Sequence, residues 1–298
     1  MSGAHAVRSV RDFEDMRAQT LRRSRIQSAI IIAGFSALLV ISMQRSEMFA
    51  SRSGGDAIGR LFAFVDLMTP DLKADTLLAE RGTRGSLGWW FYDIERWLKA
   101  LWETFEMAVL STVFGCFFGL LASFFASRNI NRNGPLRFVA KRTLEAIRTL
   151  PEIIFALMLV AAIGVGPMAG VIALTISTTG TIGKLFSEIN EEVDRRQLEA
   201  LDAAGAGLIQ KIRFGIIPQM LPQYISYALI RLEANLSAAV GLGIVGAGGI
   251  GIELERAINY TEYDSYLAIL LLMVATISTI DLISEAIRHR LIGIGGQH

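Results

Sequence analysis

Apolar runs long enough to cross a bilayer constrain this chain more than any other feature, because a helical span needs about 20 predominantly apolar residues. Such runs occur at roughly 27–44 and 104–126. A longer stretch at 144–187 is interrupted by Gly164, Gly166 and Pro167, which reads as two spans joined by a tight turn. Two more follow at 220–246 and 266–287. In lipid the backbone must satisfy its own hydrogen bonds, so runs of this length are read as helices. The expectation is an all-α polytopic membrane protein with about six transmembrane helices. Composition agrees: 52% of residues are apolar and 19% charged, against about 25% charged in soluble domains. A cleaved leader is the competing reading of the first run. The hydrophilic stretch ahead of it is long, however, and no small-x-small site clearly follows.

Basic residues set the orientation. Arg8, Arg11, Arg17, Arg22, Arg23 and Arg25 precede the first run, and Arg128, Arg132, Arg137, Lys141 and Arg142 follow the second. Arg288 and Arg290 follow the last. The connection near 250–264 instead sets Arg256 against Glu253, Glu255, Glu262 and Asp264. Six spans with both termini cytoplasmic place every basic cluster inside.

Several function classes drop out on residue types alone. Cys116 is the only cysteine, and His5, His289 and His298 sit at the ends of the chain. A zinc site or a histidine-dependent triad has nothing to build on, so neither metal nor cofactor is expected. The net charge of +1 gives no reason to expect a nucleic-acid partner.

Between the first two spans, Leu61, Phe62, Val65 and Met68 recur at helical spacing and predict a surface-lying helix. Trp89, Trp90, Trp97 and Trp102 follow. Amphipathic rings collect at headgroup level, so they are expected to form an anchoring belt rather than a ligand cage.

A charged island separates the fourth and fifth runs. Leu198, Leu201, Gly205, Leu208 and Ile212 recur at intervals of three and four, setting one apolar stripe along a helix. Glu192, Asp194, Arg195, Arg196, Glu199, Asp202, Lys211 and Arg213 take the other side. Gly205 interrupts the stripe and permits a turn or a close backbone approach. Pro218 lacks an N–H and suits the first turn of the next helix. From the residues alone, a solvated loop with a few helical turns accounts for this equally well.

The segment Glu199-Ala200-Leu201-Asp202-Ala203-Ala204-Gly205, with Pro218 thirteen residues beyond Gly205, resembles the cytoplasmic loop signature of importer-type ABC permeases. The resemblance extends over 102–290. Glu103 to Ala108, Ala126 to Asn129, Arg148 to Glu152, Ile182 to Glu188, Phe214 to Gln219, Arg231 to Asn235 and Gly246 to Gly251 look like the phosphonate-importer branch. Leu201 departs from the general loop pattern, where a third small residue is usual, and so does Gly215, where isoleucine is usual.

The resemblance implies a type I ABC importer permease fold in the bacterial inner membrane. It implies an N-terminal tail, first span and periplasmic segment over 1–101 and a permease core over 102–290. Within the core, the coupling loop 188–218 would dock the ATPase through Glu199, Ala200, Asp202, Gly205 and Pro218. The implied partners are a second copy of the chain, two copies of a cytoplasmic ATP-binding subunit, and a periplasmic or lipid-anchored substrate-binding protein. Membrane lipid surrounds the assembly. The implied substrate is a phosphonate, with phosphate, phosphite or methionine as alternatives.

An oxyanion path wants donors and a positive charge, and ionisable groups at membrane depth are functional candidates. Arg231 lies midway along the fifth run, with Asn235 one turn later on the same face. The bland reading pairs Arg231 with Glu152 or with Glu233 of another copy. In the fourth run Ser177, Thr178 and Thr179 are candidates for lining the path, although such hydroxyls often only bond the previous turn. Lys184 and Arg148 read as snorkelling residues.

Gly241, Gly243 and Gly246 match G-x-G-x-x-G, but that fingerprint requires a strand before it and a helix after it. Here the glycines end a membrane run, so they are expected to permit close helix approach or a bend. No P-loop is present, and ATP hydrolysis by this chain alone is not expected. A membrane-embedded enzyme would want paired carboxylates at depth, whereas Glu233 alone lies near the middle of a run.

Overall fold

The structure, a computed structural model, describes residues 3–45, 57–79 and 82–295. It divides into two compact units, Met1–Asp66 and Leu67–His298. The first holds α1 (Gly3–Arg45) and most of α2 (Ala57–Met68), the helix predicted from the Leu61–Met68 spacing.

All regular secondary structure among the described residues of the second unit is helical. After a short α3 (Leu87–Trp90) come α4 (Ile94–Ala126), α5 (Gly134–Thr149), α6 (Glu152–Ile163) and α7 (Pro167–Glu191). Two short helices, α8 (Arg195–Ala203) and α9 (Leu208–Lys211), lead through a π-helical turn, Ile212–Ile216, into α10 (Ile217–Ile244). The unit ends with α11 (Ile250–Asn259) and α12 (Tyr263–Gly295).

Among the described residues, four segments are long and apolar enough to cross a membrane: Leu21–Arg45 of α1, α4, α7, and Tyr263–Arg290 of α12. The expected third span is not one straight helix from 144. α5 and α6 together qualify only as a pair bent by 82°. The bend follows from Pro151, which disfavours helical geometry at the residue before it; Leu150 is extended, with ψ 125°. Arg148 therefore sits exposed in the last turn of α5 rather than inside a span. The expected fifth span is α10, which has the length but not the apolarity of the other four. Its polar residues Tyr224, Ser226 and Asn235 are buried against neighbouring helices.

α7 is the hub. Gly115 and Gly119 of α4 accept Thr178 and Ile182 of α7 so closely that a Cβ on either glycine would lie within about 3 Å of them. On another face of α7, Gly180 and Gly183 accept Ile147 and Leu144 of α5 in the same manner. Three apolar clusters run along the unit. One joins Trp90, Trp97, Val240, Leu254 and Ile269; the middle one joins Ala156, Leu174, Ala239 and Leu242. The last joins Ile130, Phe186, Ile189, Ile216 and Tyr224 at the end carrying α8 and α9.

The tryptophan belt is corrected by burial. Trp90 and Trp97 are core residues at 9% and 2% exposure, and Trp90 Nε1 donates to the Asp264 carbonyl at 2.8 Å. Of these three tryptophans only Trp102 is exposed, donating to Glu106 at 2.5 Å. The glycine-rich run behaves as expected of a bend. Gly246, Gly248 and Gly249 have positive φ, and Gly243 packs on Gly251 where α11 folds back against α10.

Candidate functional site

Four of the path candidates meet. Arg231 on α10 donates from Nε to Thr178 Oγ1 and from Nη2 to Ser177 Oγ, each at 3.1 Å. A hydroxyl has one proton, so accepting from the guanidinium obliges each to donate elsewhere. Ser177 donates to Glu152 Oε2 at 3.4 Å. Thr178 and Asn235 bond each other both ways, Thr178 Oγ1 donating to Oδ1 at 3.1 Å and Nδ2 donating to Thr178 Oγ1 at 2.9 Å, and Nδ2 also donates to Thr112 Oγ1 at 2.9 Å. Thr112 completes the series on the Ala108 carbonyl at 2.6 Å. Two chains of hydrogen bonds thus run from one guanidinium, one to α6 and the other to α4.

Burial differs along the network: Thr178 and Asn235 are fully enclosed and join α7 to α10. Arg231 itself is only partly buried. Beside it on α10, Ile230 closes a cleft of about 640 Å³ that runs past Gln219, Gln223, Ser226 and Tyr227 towards the α8 end. Thr179 stays out of the network, its hydroxyl bonded back to the Thr175 carbonyl at 2.8 Å.

No carboxylate among the described residues lies within ion-pair distance of Arg231. Glu152 compensates it through Ser177, whereas Glu233 points elsewhere, with Oε1 buried and lacking a hydrogen-bond partner. Lys184 does not snorkel alone; it pairs with Glu145 of α5 at 2.7 Å.

A second polar node lies nearer α8, and the sequence reading missed it. Asn190 Nδ2 donates to Ser123 at 3.1 Å and to Ser127 at 3.2 Å, while its Oδ1 accepts from Tyr224. Its only signal was the i, i+4 serine pair at the end of α4.

The charged island is two helices rather than one. Gly205, at φ +78°, ends α8 in the left-handed region that suits glycine. No atom lies within 4 Å of where its Cβ would stand, so it serves a turn and not a close approach. The single apolar stripe splits accordingly. Leu198 and Leu201 turn inward, while Leu208 and Ile209 are 53% and 79% exposed. Glu199 and Ala200 are exposed beside them. Asp202 is tied to Lys211, fixing α8 against α9. Pro218 falls in the first turn of α10, as its missing N–H suggests.

Leu201 and Gly215 form one packing unit. A Cβ on Gly215 would stand 2.9 Å from Leu201 Cδ1 and 3.0 Å from Leu198 Cδ2. The large residue at 201 is matched by the absent side chain at 215. Gly215→Ile should therefore dislodge α8 at an overpacking cost of about 1–3 kcal/mol and lower the yield of monodisperse protein at least about fivefold. Adding Leu201→Ala should restore most of the loss; no rescue would disprove the pairing.

An all-helical membrane bundle with a polar chain inside it and a charged helical segment at one end has the layout of a transport subunit. Residues 115–293 match the binding-protein-dependent transport system inner membrane component family, and the chain belongs to that family. It is accordingly a multi-pass inner-membrane component. The phosphite transport system permease protein PtxC of Stutzerimonas stutzeri is 38% identical over 199 residues, 66% of this chain and 72% of its own. A cryptic phosphonate transport system permease protein, PhnE2 of Escherichia coli K12, is 39% identical over 121 residues, covering 41% of this chain and 99% of its own. Among solved structures, the inward-facing MetNI methionine ABC transporter contains a chain of the same fold. It superposes with a TM-score of 0.58 at 23% identity, over 65% of this chain and 95% of that one.

Proposed function

We propose that this chain is the permease subunit of an ABC importer for a small phosphorus oxyanion of the phosphonate class. Its likeness to permeases named for phosphite and phosphonate transport carries the reading. The PtxC match, the longer of the two, favours phosphite as the second candidate cargo. Arg231, partly buried and backed by the hydroxyls of Ser177 and Thr178, supplies the fork that two oxygens of such an anion accept.

The driving force comes from a separate ATP-binding subunit, two copies on a homodimer of permeases, with a periplasmic or lipid-anchored binding protein delivering cargo. Both termini lie in the cytoplasm. The exposed edge of α8 and α9, with Glu199, Ala200, Gly205 and Ile209, is the docking surface, and Pro218 starts the helix that carries its motion to Arg231. Asp202, held by Lys211, stiffens that surface.

The cargo assignment is tested by expressing the permease with its partner genes in a host stripped of its own phosphorus importers. Uptake of methylphosphonate or phosphite is expected; uptake of methionine alone would overturn the assignment. The permease purified alone should show no ATP hydrolysis above background until the ATPase chain is added. Substantial turnover by the isolated chain would contradict the division of labour.

A further inference from the structure

Arg231 and Glu152 stand on opposite sides of one hydroxyl. Nη2 of Arg231 donates to Ser177 at 3.1 Å, and Ser177 donates onward to Glu152 Oε2 at 3.4 Å. Glu152 is the carboxylate whose charge acts on Arg231, although the two are not in direct ion-pair contact. No basic group among the described residues pairs with Glu152.

The position of Glu152 is as informative as its contact. It is the first residue of α6, immediately after the 82° bend at Leu150 and Pro151. α5 is fastened to α7 by Leu144 on Gly183 and by the Glu145–Lys184 pair. α6 is held to α7 separately, through Ala156 in the cluster with Ala173 and Leu174. The carboxylate therefore rides on the 12-residue arm beyond the corner, one turn ahead of the point at Ala156 where that arm packs on α7.

We infer that Glu152 is a resident counter-ion that occupies, through Ser177, the place a phosphorus oxyanion takes on Arg231 during transport. This rests on the reading of Arg231 as part of the path. At rest the guanidinium is neutralised, as a charge at membrane depth requires. An arriving oxyanion offers Arg231 and Ser177 the same acceptor chemistry as the carboxylate. Two anions cannot share one guanidinium in a low-dielectric site without strong repulsion, so α6 must draw Glu152 aside. A neutral or cationic solute gains nothing from that displacement. The exchange thereby selects for anions with at least two oxygens to set against the fork.

Equilibrium dialysis of the purified permease–ATPase complex against radiolabelled phosphite tests the exchange. Glu152→Gln removes the competitor and is expected to tighten phosphite binding at least tenfold, while Arg231→Gln abolishes it. The double variant should bind no better than Arg231→Gln. If Arg231→Gln abolishes binding but Glu152→Gln leaves it unchanged or weaker, the counter-ion role is overturned and the path reading stands. If binding survives Arg231→Gln, the path reading itself fails. Should Glu152→Gln not assemble, Glu152→Asp carries the same test. Its shorter arm withdraws from Ser177 with charge kept, and it should tighten binding about threefold; unchanged binding there overturns the role equally.

Discussion

Replacing Arg231 with glutamine is expected to cut oxyanion uptake at least about a hundredfold while the complex still assembles. Hydrogen bonds to a charged group contribute about 1.5–3 kcal/mol each, so losing a two-bond fork from the path removes about 3–6 kcal/mol. Assembly should survive because Thr178, Asn235 and Thr112 remain bonded to one another without the guanidinium. Glutamine also keeps an amide donor for the two hydroxyls. Arg231→Lys retains charge without the planar fork and should fall between the two, near a tenfold loss. Uptake and yield need measuring side by side. Low yield restored by a matched Glu152→Gln would show that charge balance, not cargo, is the main duty of Arg231. Wild-type uptake in Arg231→Gln would remove it from the path altogether.

The largest structural effect is expected at Gly251. A Cβ there would stand 2.1 Å from the Val240 carbonyl oxygen and 2.7 Å from the Gly243 Cα. Both obstacles are backbone, so no rotamer change relieves the clash, and α11 would have to lift off α10. Overpacking of this kind costs about 1–3 kcal/mol or more. It strikes where Gly249 N–H and Ile250 N–H are tied to Glu103 and Thr104 of α4. Gly251→Ala should reduce monodisperse protein after size exclusion at least about tenfold. Gly241→Ala is the internal control, because nothing lies within 4 Å of its Cβ position. Equal yields for the two would discredit the contact geometry at this corner.

Length and apolarity located the centres of the spans but not their ends, since α4 already begins at Ile94 and α5 is a helix of its own; the break at 164–166 was legible from Gly164, Gly166 and Pro167. The corner at Leu150 was legible in Pro151 and in the charges Glu145, Arg148 and Glu152 around it, but reading 144 onward as one apolar stretch passed over it. Trp90 and Trp97 were misread because ring chemistry is the same in a headgroup belt and in a core; only neighbours such as Asp264, far along the chain, decide. The single stripe drawn through Gly205 assumed one helix, whereas a left-handed residue resets the rotation of everything after it.

Within the site, Arg231 and Asn235 were legible together because one turn of one helix relates them. Ser177 and Thr178 were legible as hydroxyls, but their separate partners, Glu152 and Asn235, were not. Thr112 carried no signal of its own. Its place in the network depends on how closely Gly115 and Gly119 let α4 approach α7. The reach of Glu152 to Ser177 depends on the bend, and no pattern on α6 alone announces it.

The matched pair of Leu201 and Gly215 has a consequence for anyone who recombines such subunits. A segment grafted in from a relative with a small residue at 201 would leave a hole above Gly215, and the reverse graft would meet a side chain already in place. The unit of exchange is therefore not the loop alone. It runs from Asp194 through the π-helical turn to Pro218, and hybrids cut inside it should fail at coupling even when both halves fold.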